Sequence, residues 1–215
     1  MVKKFIIFIS FGLSVLAIWM LWNMSTFYSK QILISNSSIS NNINFLSEDN
    51  SLSGITKKEK LILNLSESLK YKTISYQDSI FSEPIHFLSF HKFLERAYPK
   101  VFSQLEKKIY SNYSILLKWK GVNNTPHNPI LFMAHMDVVP IENYEQWKNP
   151  PFSGNIDNDY IWGRGALDDK SSLIAILESI EHLLNSGFSP NRDIYLAIGH
   201  DEENSGTRGN AVIAD

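Results

Sequence analysis

The chain has 215 residues, a formal net charge of −2 and a hydrophobic fraction of 44%. This is enough apolar material for one sizeable core, and so small a net charge gives no field that would attract nucleic acid, so no nucleic-acid partner is expected. The chain contains no cysteine, which excludes disulfides, thiolate metal ligands and a cysteine nucleophile. A metal site in this protein would therefore use imidazole and carboxylate ligands.

The first predicted element is a membrane segment within residues 1–24. Phe5 to Trp22 is an uncharged run of 18 residues, preceded by Lys3 and Lys4. The run is long enough to span a bilayer, and no small-residue cleavage pattern follows it. We therefore expect a single-pass signal anchor, with a cleaved signal peptide and a secreted protein as the alternative. Because the lysines precede the run, the rest of the chain is expected to be lumenal or extracellular.

Residues 25–54 are predicted to form a flexible stalk. Serine and asparagine occupy 13 of the 25 positions from Ser29 to Ser53, with no steady apolar period. Five Asn-x-Ser/Thr sequons fit a lumenal glycoprotein, although several would arise by chance in so Ser- and Asn-rich a sequence. The sequons begin at Asn23, Asn36, Asn64, Asn112 and Asn123.

Residues 55–215 show the alternating periods of an α/β domain. The strand predicted over Ile130 to Ala134 is apolar throughout, which indicates burial on both faces. The helix predicted from about Ser171 should end at Gly187 in a left-handed cap. The other predicted elements are helices from Thr56 to about Tyr71 and from Glu83-Pro84 to before Pro99, and strands over Tyr113 to Trp119 and Asp193 to Gly199.

Three polar strings stand at the ends of these elements. They are Met-Ala-His-Met-Asp (133–137), Gly-Arg-Gly-Ala-Leu-Asp-Asp-Lys (163–170) and Gly-His-Asp-Glu-Glu (199–203). Each has an ordinary structural explanation as a satisfied histidine, a tight turn or a solvated acidic turn. Open α/β sheets, however, place sites beyond the carboxyl ends of their strands, so we expect the three strings to meet there.

The residue types in these strings suit a metal site. Residues i and i+2 of an extended segment face the same way, so Asp137 can accept a hydrogen bond from the ring nitrogen of His135 that is not on a metal. Asp168 enters the site from a glycine-rich turn, and the adjacent Glu202 and Glu203 would repel one another unless a cation offset their charge. The pattern predicts a hydrolytic site with two metal ions.

Together these motifs resemble the zinc-dependent peptidases and amidohydrolases of the aminoacylase-1 and carboxypeptidase S type, with carboxypeptidase S and the N-fatty-acyl-amino-acid synthase/hydrolases most similar. The likeness runs from about Phe87 to Ala211 and includes Trp147 to Gly154. It implies the N-terminal part of a zinc-exopeptidase-like catalytic domain, a mixed sheet flanked by helices, preceded here by the transmembrane helix. It also implies a substrate that is a peptide with a free C-terminal carboxylate or an N-acyl amino acid.

The resemblance also implies a role for each site residue. His135 would bind one zinc ion, Asp168 would bridge two, and Glu203 would bind the other. Glu202 would be the general base and Asp137 would orient His135. A cis peptide is expected after the bridging aspartate.

The chain departs from the family pattern in one respect. Family members take a further carboxylate ligand and a distal histidine beyond the Glu-Glu pair, with a smaller domain inserted between them through which a homodimer would form. None of the six histidines lies beyond His200. We therefore expect that residues 55–215 are a truncated part of the domain, with weak zinc binding and no activity by themselves.

Two alternatives remain open at this stage. A metal-dependent phosphoesterase also uses His, Asp and Glu, but the additional histidines and asparagines of such sites are missing. The chain could instead be a truncated or non-catalytic homologue that acts as a membrane-tethered binding protein.

Overall fold

The computed structural model describes residues 14–23, 57–78, 83–122 and 127–215. Residues 14–23 form a helix that belongs to a separate unit from the domain described below. Within the described residues, no helix is both long enough and apolar enough to cross a membrane. Much of the predicted membrane segment and all of the predicted stalk lie outside the described residues, so both remain predictions.

The domain is a mixed α/β structure, as predicted. Its helices are α1 (Lys57–Ser68), α2 (Pro84–Ala97), α3 (Pro99–Gln104), α4 (Lys170–Asn185) and α5 (Asn210–Ala214). Its strands are β1 (Glu106–Tyr110), β2 (Ser114–Trp119), β3 (Ile130–His135), β4 (Asn155–Asp157), β5 (Tyr160–Trp162) and β6 (Ile194–Gly199). Strands β4 and β5 form a separate antiparallel pair.

The main sheet has the order β1-β2-β6-β3. Strands β1, β2 and β6 pair antiparallel, whereas β3 runs parallel to β6. In that parallel register His135 lies opposite Gly199, so the polar strings that follow both strands leave the sheet at the same edge. This is the position that the sequence predicts for the site.

Helix α4 packs one apolar face into the core. The buried residues of this face recur every three or four positions, as in an amphipathic helix. They are Leu173, Ile174, Leu177, Ile180 and Leu184. The helix ends as predicted, because Gly187 has a φ of +74° and its N–H donates to the carbonyl of Leu184 at 3.2 Å.

Helix α2 begins at Pro84 after Glu83, also as predicted, and buries Phe87, Phe90, Phe93 and Leu94.

The prediction that β3 is buried on both faces is wrong. Ile130, Leu131, Phe132 and Met133 are 38 to 56% exposed, and burial begins at Ala134. The physical reason is topological, since β3 is an edge strand of the sheet and pairs on one side with β6. An apolar run shows that a strand can be buried, but it does not show how many strands and helices of the described part of the chain pack against it.

Candidate metal centre

His135 is the last residue of β3, and its ring lies between two oxygen acceptors. Nε2 lies 2.9 Å from Asp168 Oδ1, and Nδ1 lies 3.1 Å from the backbone carbonyl of Asp137 and 3.4 Å from its Oδ1. Asp137 therefore contacts the ring nitrogen that faces away from Asp168, as the i, i+2 spacing predicts. The residue is 6% exposed, so its orientation is fixed within the protein.

Asp168 reaches this point from the tight turn that precedes α4. Gly165 has a φ of +81°, and a Cβ at that position would lie 2.6 Å from Cγ1 of Val138. The turn is closed by the Lys170 N–H, which donates to the Gly165 carbonyl at 3.0 Å. The glycine thus allows the close backbone approach that the sequence suggested. The Asp168-Asp169 peptide is cis, as the family resemblance implied.

The acidic string after β6 forms a 3-10 turn, Glu202–Asn204. One ligand atom from each of His135, Asp168 and Glu203 lies within 4.8 Å of the others. Glu202 lies beside this trio, with Oε2 at 3.6 Å from His135 Nε2, and its side chain is 54% exposed. The structure therefore brings the four side chains to one edge of the sheet.

Asp137 lies beneath this cluster and joins its parts. The carboxylate is completely buried. Oδ1 accepts the N–H of Glu202 at 3.1 Å, and Oδ2 accepts the N–H of Glu203 at 3.2 Å and the hydroxyl of Ser75 at 2.6 Å. Burial raises the pKa of Asp137, but the hydrogen bonds of His135 and Ser75 outweigh this and hold the pKa below its usual value.

The carboxylates make the cluster locally negative. Burial lowers the pKa of His135, yet the hydrogen bond and charge of Asp137, with Asp168, raise it to about 9. Burial and the neighbouring charge of Asp168 also raise the pKa of Glu203. The carboxylates of Asp137 and Asp168 thus contribute to both shifts, and a bound cation would offset their charge.

Sequence reasoning missed several residues that support the cluster. The Asp169 Oδ2 accepts the backbone N–H of His135 at 3.3 Å. Lys170, the first residue of α4, is completely buried. Ser75 and Asn204 received no role. Residues 73–75 pair with 136–138 through the Ile74–Val138 bridge, a long-range contact that the sequence alone does not indicate.

A mixed sheet with a His-Asp-Glu cluster at its edge is the arrangement that the sequence predicts for a metallohydrolase-type α/β domain. The model of peptidase family M20/M25/M40 matches residues 131–215 of the chain. The resemblance stated from the sequence is thereby confirmed. The matched residues begin within β3 and include all three polar strings.

Individual relatives agree with this assignment. The chain is 47% identical over 152 residues to a probable carboxypeptidase S-like protein of Dictyostelium discoideum, which covers 70% of the chain and 29% of that relative. It is 36% identical over 163 residues to an N-fatty-acyl-amino acid synthase/hydrolase of Xenopus tropicalis, covering 74% and 31%. Among solved structures it matches an M20 family metallo-carboxypeptidase of Sulfolobus solfataricus with a TM-score of 0.53, 27% identity, and coverage of 66% and 31%.

The chain thus spans about a third of the length of these relatives. The likeness to the solved structure includes the fold. These relatives are named as carboxypeptidases and as a synthase/hydrolase.

Proposed function

We propose that the whole protein is a zinc-dependent hydrolase that cleaves the amide bond of peptides with a free C-terminal carboxylate or of N-acyl amino acids. The observation that carries this proposal is the grouping of His135, Asp168 and Glu203, whose ligand atoms lie within 4.8 Å of one another at the edge of the sheet. One imidazole with carboxylates is a donor set that zinc accepts in hydrolytic sites.

Two zinc ions fit the proposal. His135 and Asp168 would hold one ion, and Asp168 and Glu203 would hold the other, with Asp168 shared. Asp168 suits the shared position because its side chain is 76% exposed and faces His135 at 2.9 Å. Bound zinc would supply a water of lowered pKa and an electrophile for the amide carbonyl.

Glu202 is the proposed general base. It is adjacent to Glu203 but lies outside the trio, and its carboxylate is close enough to His135, at 3.6 Å, to reach the same space. In this role Glu202 takes the proton of the attacking water and returns it to the leaving nitrogen. Asp137 keeps the His135 ring oriented through its contact with Nδ1.

An apolar side chain next to the cluster supports the substrate class. Leu167 directly precedes Asp168 and is 91% exposed. We propose that Leu167 contacts the side chain or acyl chain of the substrate, since an exposed leucine gains free energy when an apolar group covers it. The Xenopus tropicalis relative is named as a synthase/hydrolase of N-fatty-acyl amino acids, which carry such a group.

The experiment is a hydrolysis assay with the purified full-length protein. A peptide with a free C-terminus, the same peptide as a C-terminal amide, and an N-acyl amino acid are offered before and after metal removal. We expect activity on the first and third, loss of that activity with a chelator, and recovery with zinc. A protein that binds zinc but hydrolyses none of them would instead be a binding homologue.

We also propose that the protein is attached to a membrane through Phe5 to Trp22, with the domain on the lumenal or extracellular side. The support is the length of the uncharged run and the position of Lys3 and Lys4 before it.

A further inference from the structure

The Asp137 carboxylate has a partner beyond the residues proposed for metal and catalysis. Ser75 is 2% exposed, and its hydroxyl lies 2.6 Å from Asp137 Oδ2. Asn204 Nδ2 in turn donates to the Ser75 hydroxyl oxygen at 2.7 Å. Ser75 lies outside residues 131–215, the part that matches the family model.

We infer that Ser75 and Asn204 are positioning residues that act through the Asp137 carboxylate to hold the Glu202-Glu203 turn against His135. The inference rests on the proposed metal site. It assigns to residues 73–75 a part in the site, where the sequence indicated none.

The direction of the hydrogen bonds is set by chemistry. An amide nitrogen is a donor with no acceptor capacity, so the Ser75 oxygen must accept from Asn204. A hydroxyl has one proton, and it is therefore free to go to the ionised Asp137. The hydrogen bond to a carboxylate is of the stronger, charge-assisted type. Asn204 thus fixes which way the Ser75 hydroxyl points.

The Ser75 hydroxyl is itself held by backbone pairing. The Ser75 N–H donates to the Val138 carbonyl at 3.1 Å, and the Val138 N–H donates to the Thr73 carbonyl at 3.0 Å. The Thr73 hydroxyl donates to the Met136 carbonyl at 2.6 Å. Residues 73–75 are therefore fixed to the segment that carries Asp137.

These contacts close a ring of interactions around the base of the cluster. Asp137 accepts the backbone N–H groups of Glu202 and Glu203, Asn204 ends the same 3-10 turn, and Asn204 returns to Asp137 through Ser75. Without Ser75, the turn keeps two backbone hydrogen bonds to Asp137 but loses the side-chain link that fixes its far end. The Glu203 carboxylate would then be less well placed for a ligand.

The test uses the full-length protein with Ser75→Ala, Asn204→Asp and the double variant. Zinc affinity is measured by chelator competition, and kcat and KM are measured separately. We expect Ser75→Ala to weaken zinc affinity or kcat by about 10- to 100-fold, the range for groups that orient metal ligands. KM should change by less than about threefold because Ser75 does not touch substrate.

Asn204→Asp is nearly isosteric and removes the donor that orients the Ser75 hydroxyl. It should change zinc affinity in the same direction as Ser75→Ala, and it carries the test if Ser75→Ala does not fold. The double variant should bind zinc no more weakly than Ser75→Ala, because the effects of two residues in one hydrogen-bond network are not additive.

Ser66→Ala is the matched control. Ser66 is also buried, and its hydroxyl donates to the Gly154 carbonyl at 2.5 Å, away from Asp137. Ser66→Ala should lower the Tm of the metal-free protein without changing zinc affinity. If Ser75→Ala changes zinc affinity and kcat no more than Ser66→Ala does, the inference is overturned. A wild-type protein that binds no zinc would instead overturn the proposed function, so the two failures are distinguishable.

Discussion

The ammonium of Lys170 donates to the backbone carbonyl of Tyr71 at 2.8 Å, although the side chain has no solvent exposure. It also donates to the carbonyl of Ser68 at 2.9 Å and lies 4.7 Å from the centroid of the Phe90 ring. Burial lowers the pKa of Lys170 to about 7, with the charge of Asp137 opposing this effect. Lys170 thus ties the start of α4, and with it the Asp168 turn, to the end of α1.

Lys170→Met should therefore destabilise the protein. The substitution leaves two backbone carbonyls without their donor, which costs about 1–3 kcal/mol for each buried group, reduced by relief of the buried charge. We expect a net loss of about 1–3 kcal/mol in the free energy of unfolding, measured by urea denaturation. Lys70→Met is the control, since Lys70 is half exposed and pairs with Glu67 on the surface. Equal stability of the two variants would contradict the role given to Lys170.

Gly165 and Gly187 offer a matched pair for the Asp168 turn. Both have positive φ, but a Cβ at Gly165 would lie 2.6 Å from Val138, whereas a Cβ at Gly187 has nothing within 4 Å. Gly187→Ala should cost about 1 kcal/mol for the left-handed backbone. Gly165→Ala should cost about 1–3 kcal/mol more through the clash. It should also reduce zinc affinity, because the turn that presents Asp168 must shift. Equal costs in thermal unfolding would show that the turn adapts freely.

Much of the fold could be predicted from the sequence because it depends on local patterns. The apolar period of α4 and the left-handed Gly187 indicate that helix and its end without reference to the rest of the chain. Strand β1 was missed, because Glu106–Tyr110 is largely exposed and carries three charged residues among its five. Such a strand is stabilised by its pairing with β2, which is a long-range property.

The candidate site divides in the same way. His135, Asp168 and Glu203 could be proposed because their side-chain chemistry and the strand ends that carry them are visible in the sequence. Ser75 could not be proposed from the sequence, because it lies 62 residues before Asp137 and contacts it through the pairing of two distant segments. The burial of Lys170 was equally invisible, because lysine is rarely buried and its partners are backbone carbonyls.

Leu167→Ser should alter substrate preference. If Leu167 contacts the apolar part of the substrate, the ratio of kcat/KM for a long-chain over a short-chain N-acyl amino acid should fall about fivefold or more. Zinc content should not change. Leu63→Ser is the control, since Leu63 lies on α1 and its side chain is 51% exposed. This variant should keep the wild-type ratio. An unchanged ratio in Leu167→Ser would remove Leu167 from the substrate site.

The membrane proposal predicts that the protein carries glycans and stays in the membrane pellet after a carbonate wash. Asn112 is exposed in the turn between β1 and β2, with a φ of +69°, so a glycan fits there. Asn64 is partly buried and donates to Glu178 at 3.2 Å, so a glycan there would disrupt the fold. We expect Asn112→Gln, and not Asn64→Gln, to remove a glycan detected by gel mobility. A soluble, unglycosylated protein with Met1 intact would contradict the lumenal placement.

The most direct measurement compares Glu202→Gln with Glu203→Gln in the full-length protein. Zinc content is determined by elemental analysis, and turnover is measured on an N-acyl amino acid. Glu202→Gln should keep nearly all of its zinc, about two ions per catalytic domain, while turnover falls by roughly two or more orders of magnitude. Glu203→Gln should lose zinc and activity together. Equal zinc loss in the two variants would contradict the division between base and ligand, and full activity of Glu202→Gln would contradict the proposed chemistry.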